Sequence, residues 1–242
     1  MKTGCPQEGI PTNEIMKKIF QRYTPLQIAV HIYAWSALVI LIFDLFTHNL
    51  TANPIQALEQ RTGRHAITLL VLSLACTPLN TLFKWSELLK RRRALGLYAF
   101  MYAVIHVILF VDVDYGLAWS LIFKTVFEKP YIIVGMTGFL LLIPLAWTSF
   151  DIWKKRLGKG WKRLHQLIYL IAPLIVLHYA WSKKGDFFQL SGDIIRPLIY
   201  GLIVILFLIV RIPIIRRATA SVRDRILFLF RRRGTQTEIT PP

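Results

Sequence analysis

The segment WKRLHQLIYLIAPLIVLHYAW, from Trp161 to Trp181, constrains this chain most because it is apolar, long enough to cross a membrane and carries two histidines. A membrane-spanning helix needs about 20 apolar residues, and an ionisable side chain inside the bilayer is costly enough to indicate a functional site. His165 and His178 stand 13 residues apart, which is roughly 20 Å along a helix. The segment therefore predicts one imidazole near each side of the membrane, where two stacked metal cofactors would need ligands.

Five further apolar segments accompany this one, and 55% of the 242 residues are hydrophobic. Backbone groups in lipid must form hydrogen bonds within their own segment, so each segment is predicted to be a helix. We therefore predict an all-α integral membrane protein, with six transmembrane helices in one bundle over residues 25–215. Residues 1–24 and 216–242 are predicted to be a cytoplasmic N-terminal segment and a basic cytoplasmic tail. The predicted spans are 25–46, 65–83, 94–113, 130–148, 162–182 and 194–215.

The positive charge of the chain is distributed unevenly over the predicted loops. The net charge is +17, and 23 of the 30 Lys and Arg residues fall on one predicted side of the membrane. That side comprises both termini and the loops 84–93 and 149–163. Because cytoplasmic loops carry the excess of Lys and Arg, both termini are predicted to be cytoplasmic. The charge thus indicates topology and contact with anionic lipid headgroups, and it does not indicate nucleic-acid binding.

His106 is the one histidine of the third predicted span. It lies in the outer half of that span, because the span begins after the cytoplasmic arginines that end at Arg93. The fifth span runs the other way, so His178 lies at a similar depth. A b-type haem takes two axial imidazoles from different helices, on opposite faces of the porphyrin. The topology therefore predicts His106 and His178 as the ligands of one haem iron.

The inner half of the membrane offers His165, but the third span has no second histidine at that depth. Arg92 shares a helix face with His106 and stands where a second inner ligand would be expected. A guanidinium group is always protonated and is a poor metal ligand, so Arg92 is predicted to pair with a haem propionate or a flavin phosphate. His31, on the first span, is the alternative neighbour at this depth.

The number of haems depends on the shape of the fifth span. An ideal helix would point His165 and His178 to different faces, since 13 residues leave about 220° beyond whole turns. Pro173 lies between them and removes a backbone hydrogen bond, so a kink there would change the phase. A kinked helix supports two haems, whereas a straight helix would leave a single haem at His106 and His178.

Two basic stretches are candidates for binding anionic groups. Arg64 and His65 open the second predicted span at its outer interface, where they could meet a propionate, a quinone or a phosphate; snorkelling to headgroups is the alternative. The cytoplasmic loop LGKGWKR, which ends at Arg163, could hold a flavin phosphate or a headgroup. No strand precedes its glycines, so this loop is not a dinucleotide-binding fingerprint.

The remaining segments are predicted to be structural. The fourth span has no buried charge, and its Gly135 and Gly138 allow close helix approach. Residues 117–127 are predicted to form an amphipathic helix at the outer interface, and residues 216–233 a helix on the membrane surface.

Other chemistries fit the sequence less well. A membrane metallohydrolase needs a glutamate beside its histidine ligands, and no span has one. Cys5 and Cys76 form no CxxC motif, which argues against an iron–sulfur cluster. A proton-coupled transporter with histidine relays is a second hypothesis; it predicts colourless protein and internal repeats, and no repeat is evident. Histidines that only form hydrogen bonds between helices are a third.

Four stretches of the chain resemble one known family: NPIQALEQRTGRH, RRALGLYAFMYAVIHV, EKPYIIVGMTGF and LGKGWKRLHQLIYLIAPLIVLHYAW. They are similar to the MsrQ (formerly YedZ) family over about residues 20–210. Its members are haem-binding membrane subunits of bacterial periplasmic methionine-sulfoxide reductase systems. The wider resemblance is to ferric-reductase and NADPH-oxidase transmembrane domains, which hold two haems with two histidines on each of two helices. His165, His178 and His106 match three of those four positions, and Arg92 stands at the fourth.

The resemblance implies one or two b haems, with flavin mononucleotide as a further cofactor. It implies electron transfer across the bacterial inner membrane to a periplasmic molybdopterin subunit, MsrP, which reduces methionine sulfoxide in oxidised proteins. Substrate reduction is thus expected on the partner. Electrons would come from the quinone pool or a cytoplasmic flavin reductase, since we expect no NAD(P)-binding domain after the sixth span. A transmembrane ferric reductase is the nearest alternative.

Overall fold

The computed structural model describes residues 24–183, 185–186 and 191–236, and these are almost entirely helical. The predicted N-terminal segment therefore lies, except for Thr24, outside the described residues. The fold class is all-α, as predicted; the strands β1 (Gly185–Asp186) and β2 (Ser191–Gly192) form a single short antiparallel pair. The helices are α1 (Pro25–Phe46), α2 (Pro54–Phe83), α3 (Ser86–Ile108), α4 (Trp119–Glu128), α5 (Pro130–Trp147), α6 (Asp151–Leu157), α7 (Lys159–His165), α8 (Ile168–Trp181), α9 (Ile195–Arg211) and α10 (Pro213–Gln236).

Five segments are long and apolar enough to cross a membrane: α1, α2, α3 with the turn that follows it, α5, and α7 together with α8. A sixth arises only if α9 and α10 count as one span, and these two helices are bent by 84° relative to each other. Pro213 has no N–H with which to continue the hydrogen-bond pattern of α9, and the backbone of Ile212 is extended. The multi-pass helical bundle is confirmed, but the predicted span 194–215 is broken after Arg211.

α2 begins well before the predicted start of the second span. Asn53 caps it, because its side-chain oxygen accepts a hydrogen bond from the Gln56 N–H at 3.1 Å. Pro54 occupies the first turn, where a missing N–H leaves no helical bond unmade. Arg64 and His65 therefore lie more than two turns inside the helix rather than at its start, and their place at the outer membrane interface stays a prediction.

The predicted loops beside the third span are also largely helical. α3 begins at Ser86, so four of the five basic residues of the predicted loop 84–93, Lys90 to Arg93, lie on its first turns, and Lys84 is the C-cap of α2. Its outer end passes into a π-helical turn, Leu109–Asp114. α4 follows as the helix predicted for residues 117–127, with large apolar side chains exposed.

α2 is the central helix of the bundle. In its most apolar stretch 44% of the residues are buried, against 17–22% in the other four spans. It packs mainly against α3 and also contacts α1, α8 and α9. Ile67, Leu69 and Leu74 of α2 are almost fully buried. Tyr102 of α3 is buried beside them and donates a hydrogen bond to the Ala34 carbonyl of α1 at 2.6 Å.

Ion pairs sort the loops and helix ends into two groups, one at each end of the bundle. The pairs at the first end join segments predicted to be cytoplasmic, and those at the other end join segments predicted to lie outside. They are Lys84–Asp224 and Arg93–Asp151 at the first end, and Asp44–Arg61 and Lys183–Asp193 at the other. The two sides assigned from charge thus correspond to two ends of the molecule.

We predict that the first end faces the cytoplasm. Green fluorescent protein fused after Pro242 should fluoresce, and alkaline phosphatase inserted after Gly116, in the turn before α4, should be active. Gly116 has a φ of +54° and nothing packed against its Cβ position, so an insertion there displaces no neighbour. Phosphatase that is silent after Gly116 but active after Gly158 would reverse the topology.

Candidate functional site

His106, in α3, is held by a backbone carbonyl of α2. Its Nδ1 lies 2.9 Å from the carbonyl oxygen of Glu59. A carbonyl oxygen can only accept, so Nδ1 carries the proton and donates it, which leaves a free lone pair on Nε2. Metal-bound histidines commonly donate their other ring N–H in this way. The protein itself thus fixes the orientation of His106 and leaves its Nε2 free to bind a metal.

His178, in α8, is held in the same way by α5. Its Nδ1 donates to the carbonyl oxygen of Tyr131 at 2.7 Å. In each case the carbonyl precedes the histidine by 47 residues. The helix pairs α2–α3 and α5–α8 therefore repeat one local arrangement, and each presents an imidazole with Nε2 available.

The two imidazoles face one another. Their ring centroids are 6.3 Å apart, and their planes are inclined by 75°. An iron atom bound at about 2 Å by one nitrogen of each ring would place the centroids about 6 Å apart, since each centroid lies about 1 Å behind its nitrogen. His106 and His178, which were paired from depth alone, therefore fit the two axial positions of one haem iron.

Both imidazoles line a cavity of about 360 Å³, which is within the range of pockets that hold cofactors. It is bounded by α2, α3, α5 and α8. Its apolar part would suit a porphyrin plane and includes Leu70, Ala99, Ala103, Phe139, Leu142 and Ile175. Its polar part includes Gln56, Gln60, Arg64, Lys129 and Lys183. We call this space the histidine cavity.

Cationic side chains border the polar end of the histidine cavity. Lys183 is already paired with Asp193 at 2.7 Å. Arg64 and Lys129 have no ion-pair partner within the ranges that the structure describes. Arg64 thus lies at the outer end, as predicted from its position in the sequence, and its charge is available to an anionic group such as a propionate.

Glycines provide the space in which the imidazoles lie. Gly63 lies one helical turn after Glu59, whose carbonyl holds His106. A Cβ atom on Gly63 would lie 3.4 Å from the imidazole of His106. Gly135 lies one turn after Tyr131, whose carbonyl holds His178. A Cβ atom on Gly135 would lie 2.5 Å from Nδ1 of His178. Each repeated unit is therefore a carbonyl, a glycine one turn later and the histidine that packs on both.

The residues that sequence reasoning missed contribute backbone rather than side chains. The fourth span was predicted to be scaffold because it has no buried charge. Its helix, α5, instead supplies the Tyr131 carbonyl and the Gly135 surface on which His178 rests. Any residue has a backbone carbonyl, so the sequence cannot show which one accepts a hydrogen bond. Gly135, a small residue that permits close packing, was the one feature of the sequence that pointed to this contact.

His165 lies away from the histidine cavity. It is the last residue of α7, and its Nδ1 lies 3.1 Å from the Trp161 carbonyl one turn back. Its ring packs on the Trp161 indole, with centroids 4.1 Å apart. No hydrogen bond or ring contact joins His165 to another histidine in the described residues. The structure thus brings together two of the three predicted haem ligands, His106 and His178, and leaves the third apart.

Arg92 and Arg163 also lie outside the histidine cavity. Arg92 is partly buried, and its carbonyl accepts a hydrogen bond from the Ser73 hydroxyl at 2.9 Å. Arg163 is exposed on α7. Arg92 and Arg163 are basic groups at the predicted cytoplasmic end of the bundle. That they bind a flavin phosphate stays a prediction.

The irregularity of the fifth span is next to His165. Pro173 lies inside α8, which runs without interruption from Ile168 to Trp181. The helix is instead interrupted at residues 166–167, between α7 and α8. His165 and His178 therefore stand on separate helices and do not line one cavity.

The other two histidines inside the bundle have partners of their own. Nδ1 of His31 lies 2.6 Å from the Tyr98 hydroxyl, and Nδ1 of His65 lies 3.2 Å from the Tyr33 hydroxyl. Neither lines the histidine cavity. Among the described residues no group of three or more His, Cys, Asp or Glu could hold a bare metal ion. The site suits a metal that is carried by a prosthetic group.

Comparisons with known proteins agree with this geometry. Residues 62–176 match the family described as "Ferric reductase like transmembrane component". The chain is similar to the protein-methionine-sulfoxide reductase heme-binding subunit MsrQ of Herminiimonas arsenicoxydans, with 43% identity over 167 residues. That alignment covers 69% of this chain and 74% of the relative. No solved structure matches the chain.

Two further relatives carry the same name. The protein of Xanthomonas campestris pv. campestris (strain 8004) is 47% identical over 137 residues, which is 57% of this chain and 63% of the relative. The protein of Caulobacter vibrioides is 38% identical over 168 residues, which is 69% of this chain and 77% of the relative. The aligned part of the Xanthomonas relative is thus less than two thirds of its length.

Replacing Gly135 tests the packing of His178. In Gly135→Ala the added methyl group must displace the imidazole, and overpacking of about 1–3 kcal/mol would weaken binding at His178 roughly tenfold. The haem-to-protein ratio of the purified variant should fall accordingly. Gly96→Ala is the matched control, because its Cβ would make an ordinary 3.5 Å contact. Equal ratios in the two variants would show that His178 does not depend on this glycine.

Proposed function

The chain belongs to the MsrQ family of heme-binding subunits, and we propose that it carries electrons through a bacterial inner membrane to a methionine-sulfoxide reductase. The observation that carries the proposal is the pair of imidazoles that line one cavity with their centroids 6.3 Å apart, each with Nδ1 bonded to a carbonyl and Nε2 free. The relatives are named as subunits of protein-methionine-sulfoxide reductase, which supports the destination of the electrons.

His106 and His178 would hold a single b-type haem. Bound there, its iron would take up and release one electron at a time. Nδ1 of each imidazole keeps its proton on a backbone carbonyl, so neither ring exchanges that proton with solvent. The hydrogen bonds to the carbonyls also raise the basicity of both ligands.

Arg64 and Lys129 would bind the haem propionates. Both border the histidine cavity at its polar end, and both are free of ion pairs among the described residues. Charge-assisted hydrogen bonds to carboxylates are strong in a low-dielectric setting. These residues would fix which edge of the porphyrin points outward.

One haem is the number that this geometry supports best. His106 and His178 line the histidine cavity together, whereas His165 does not line it and packs on Trp161 instead. An inner cofactor would then be of another kind. We propose that flavin mononucleotide binds near the basic groups Arg92 and Arg163, whose charge suits its phosphate.

Electrons would enter at the cytoplasmic end and leave at the periplasmic end. The donor we propose is the quinone pool or a cytoplasmic flavin reductase, and the acceptor is a periplasmic molybdopterin subunit of the MsrP type. Support comes from the position of the histidine cavity, which opens towards the end with fewer basic residues. That end is the periplasmic one by the positive-inside rule.

Replacing either histidine should remove the haem and the electron transfer together. Wild-type protein in nanodiscs should show a b-type absorption band on reduction by quinol or by a flavin reductase. It should also support methionine-sulfoxide reduction by an MsrP-type partner. His106→Ala and His178→Ala should each lack the band and the activity, because one imidazole alone leaves the iron without its second axial ligand.

His31→Ala is the matched control for this experiment. It also removes a membrane histidine and one hydrogen bond, to Tyr98, but it lies outside the histidine cavity and should keep the haem. Full haem content in both His106→Ala and His178→Ala would rule out the assignment. Haem-containing wild type that reduces no partner would reject the electron-transfer role and leave the haem site standing.

A further inference from the structure

A second cavity, of about 370 Å³, lies beside the histidine cavity at the outer end of the bundle. It is an open cavity bordered by α1, α2, α8 and α9. Arg64 and Tyr179 line both cavities and form the wall between them. The residues that line only the second cavity include Arg61, Arg196, His65 and Tyr200. The haem proposal uses none of these four.

The second cavity carries more positive charge than its neighbours neutralise. Arg61 is paired with Asp44. Arg64 and Arg196 have no ion pair with a carboxylate in the part of the chain that the structure describes. Asp193, at the same end of the bundle, is held by Lys183 at 2.7 Å. Arg196 therefore has no anionic partner among the described residues, and Arg64, with five N–H donors, keeps some of them for this cavity when a propionate takes others.

The pKa of Asp193 shows that the guanidinium groups of Arg64 and Arg196 lie near its carboxylate. The hydrogen bond from Lys183 lowers the pKa of Asp193, and the charges of Arg196 and Arg64 lower it further. Asp193 thus stays ionised and paired with Lys183. It is near enough to sense both guanidinium charges but does not bond to either.

The hydroxyl groups in the cavity leave one donor free. The Tyr200 and Thr68 hydroxyls lie 2.7 Å apart, and the Tyr33 hydroxyl bonds to His65. The Tyr179 hydroxyl is buried and has no hydrogen-bond partner in the structure. Buried hydroxyl groups without a partner are rare because they are costly. An acceptor atom in this cavity would satisfy it.

We propose that the second cavity is a binding site for a phosphate group, held by Arg64 and Arg196 with a hydrogen bond from the Tyr179 hydroxyl. Guanidinium groups bind phosphate oxygens through paired, charge-assisted hydrogen bonds, and a phenol supplies a third donor. The phosphate could belong to a membrane lipid headgroup or be free inorganic phosphate. A bound phosphate would share Arg64 with the haem propionate proposed for the histidine cavity, and Arg196 would supply the positive charge that belongs to the second cavity alone.

The test uses the haem-loaded, full-length protein in phosphate-free detergent. Binding of radiolabelled inorganic phosphate is measured by equilibrium dialysis. Binding of phosphatidylglycerol is measured by native mass spectrometry, with a neutral galactolipid as the phosphate-free comparison. Saturable binding of inorganic phosphate would identify a free-anion site. Binding of phosphatidylglycerol alone would identify a headgroup site. Both results support a phosphate site.

Arg196→Gln separates this site from the histidine cavity, because Arg196 does not line the latter. Loss of a bidentate charged contact should weaken binding of the phosphate probe about tenfold, with unchanged haem content. Lys124→Gln is the matched control: it removes one exposed charge on α4, at the same end of the bundle, and should change the affinity by less than about twofold.

The proposal is overturned if neither probe binds, or if Arg196→Gln binds as tightly as wild type. It is also overturned if the galactolipid competes equally. Should Arg196→Gln fail to fold, Tyr179→Phe decides, since it keeps the ring and removes only the hydroxyl. Weaker phosphate binding by that variant supports the site, and unchanged binding rejects it. None of these readouts depends on electron transfer.

Discussion

The structure depends on two hydrogen bonds that join an imidazole N–H to a backbone carbonyl on a neighbouring helix. Each joins two residues that are 47 positions apart on different helices, and each fixes which ring nitrogen is free. In a membrane interior such bonds are strong, because no water competes for the carbonyl. The carbonyl oxygens of Glu59 and Tyr131 can each accept the imidazole N–H in addition to a helical N–H, because a carbonyl oxygen has two lone pairs. The orientation of both rings is thus a consequence of backbone geometry.

Other features of the fold follow from this arrangement. α2 must extend far enough outward to present the Glu59 carbonyl, which explains its long first turns beginning at Pro54. α2 and α5 must approach the imidazoles closely, which glycine permits at Gly63 and Gly135. The result is one apolar cavity with a polar rim at the outer end. A second, cationic cavity shares the Arg64 wall, so the charges of the two spaces are coupled.

The sequence alone predicted the outer pair of ligands because depth in a membrane is set by topology. Counting residues from the basic loops was enough to bring His106 and His178 to one level. Rotation about each helix axis is set by packing, which counting cannot supply. His165 therefore matched a family position but packs on Trp161, apart from the outer pair. Whether it binds a cofactor stays a prediction.

The first and last residues of the helices were harder to predict than the membrane spans, because capping residues and prolines near each end decide where a helix begins or stops. Hydropathy marks where lipid begins, whereas helices continue beyond it wherever a cap or proline allows, as at Asn53 and Pro54. Pro213 shows the reverse case, because apolar residues continue past the point at which the helix bends. The repeated carbonyl, glycine and histidine unit escaped notice because it spans 47 residues and one of its three parts is backbone.

Electron paramagnetic resonance of the oxidised wild-type protein tests the central assignment most directly, because it reports the axial ligands and their relative orientation. Two imidazoles whose planes are inclined by 75° should give a low-spin ferric signal with the strong anisotropy of nearly perpendicular ligand planes. A high-spin signal, as from iron with one axial ligand, would contradict the assignment of His106 and His178 to one haem.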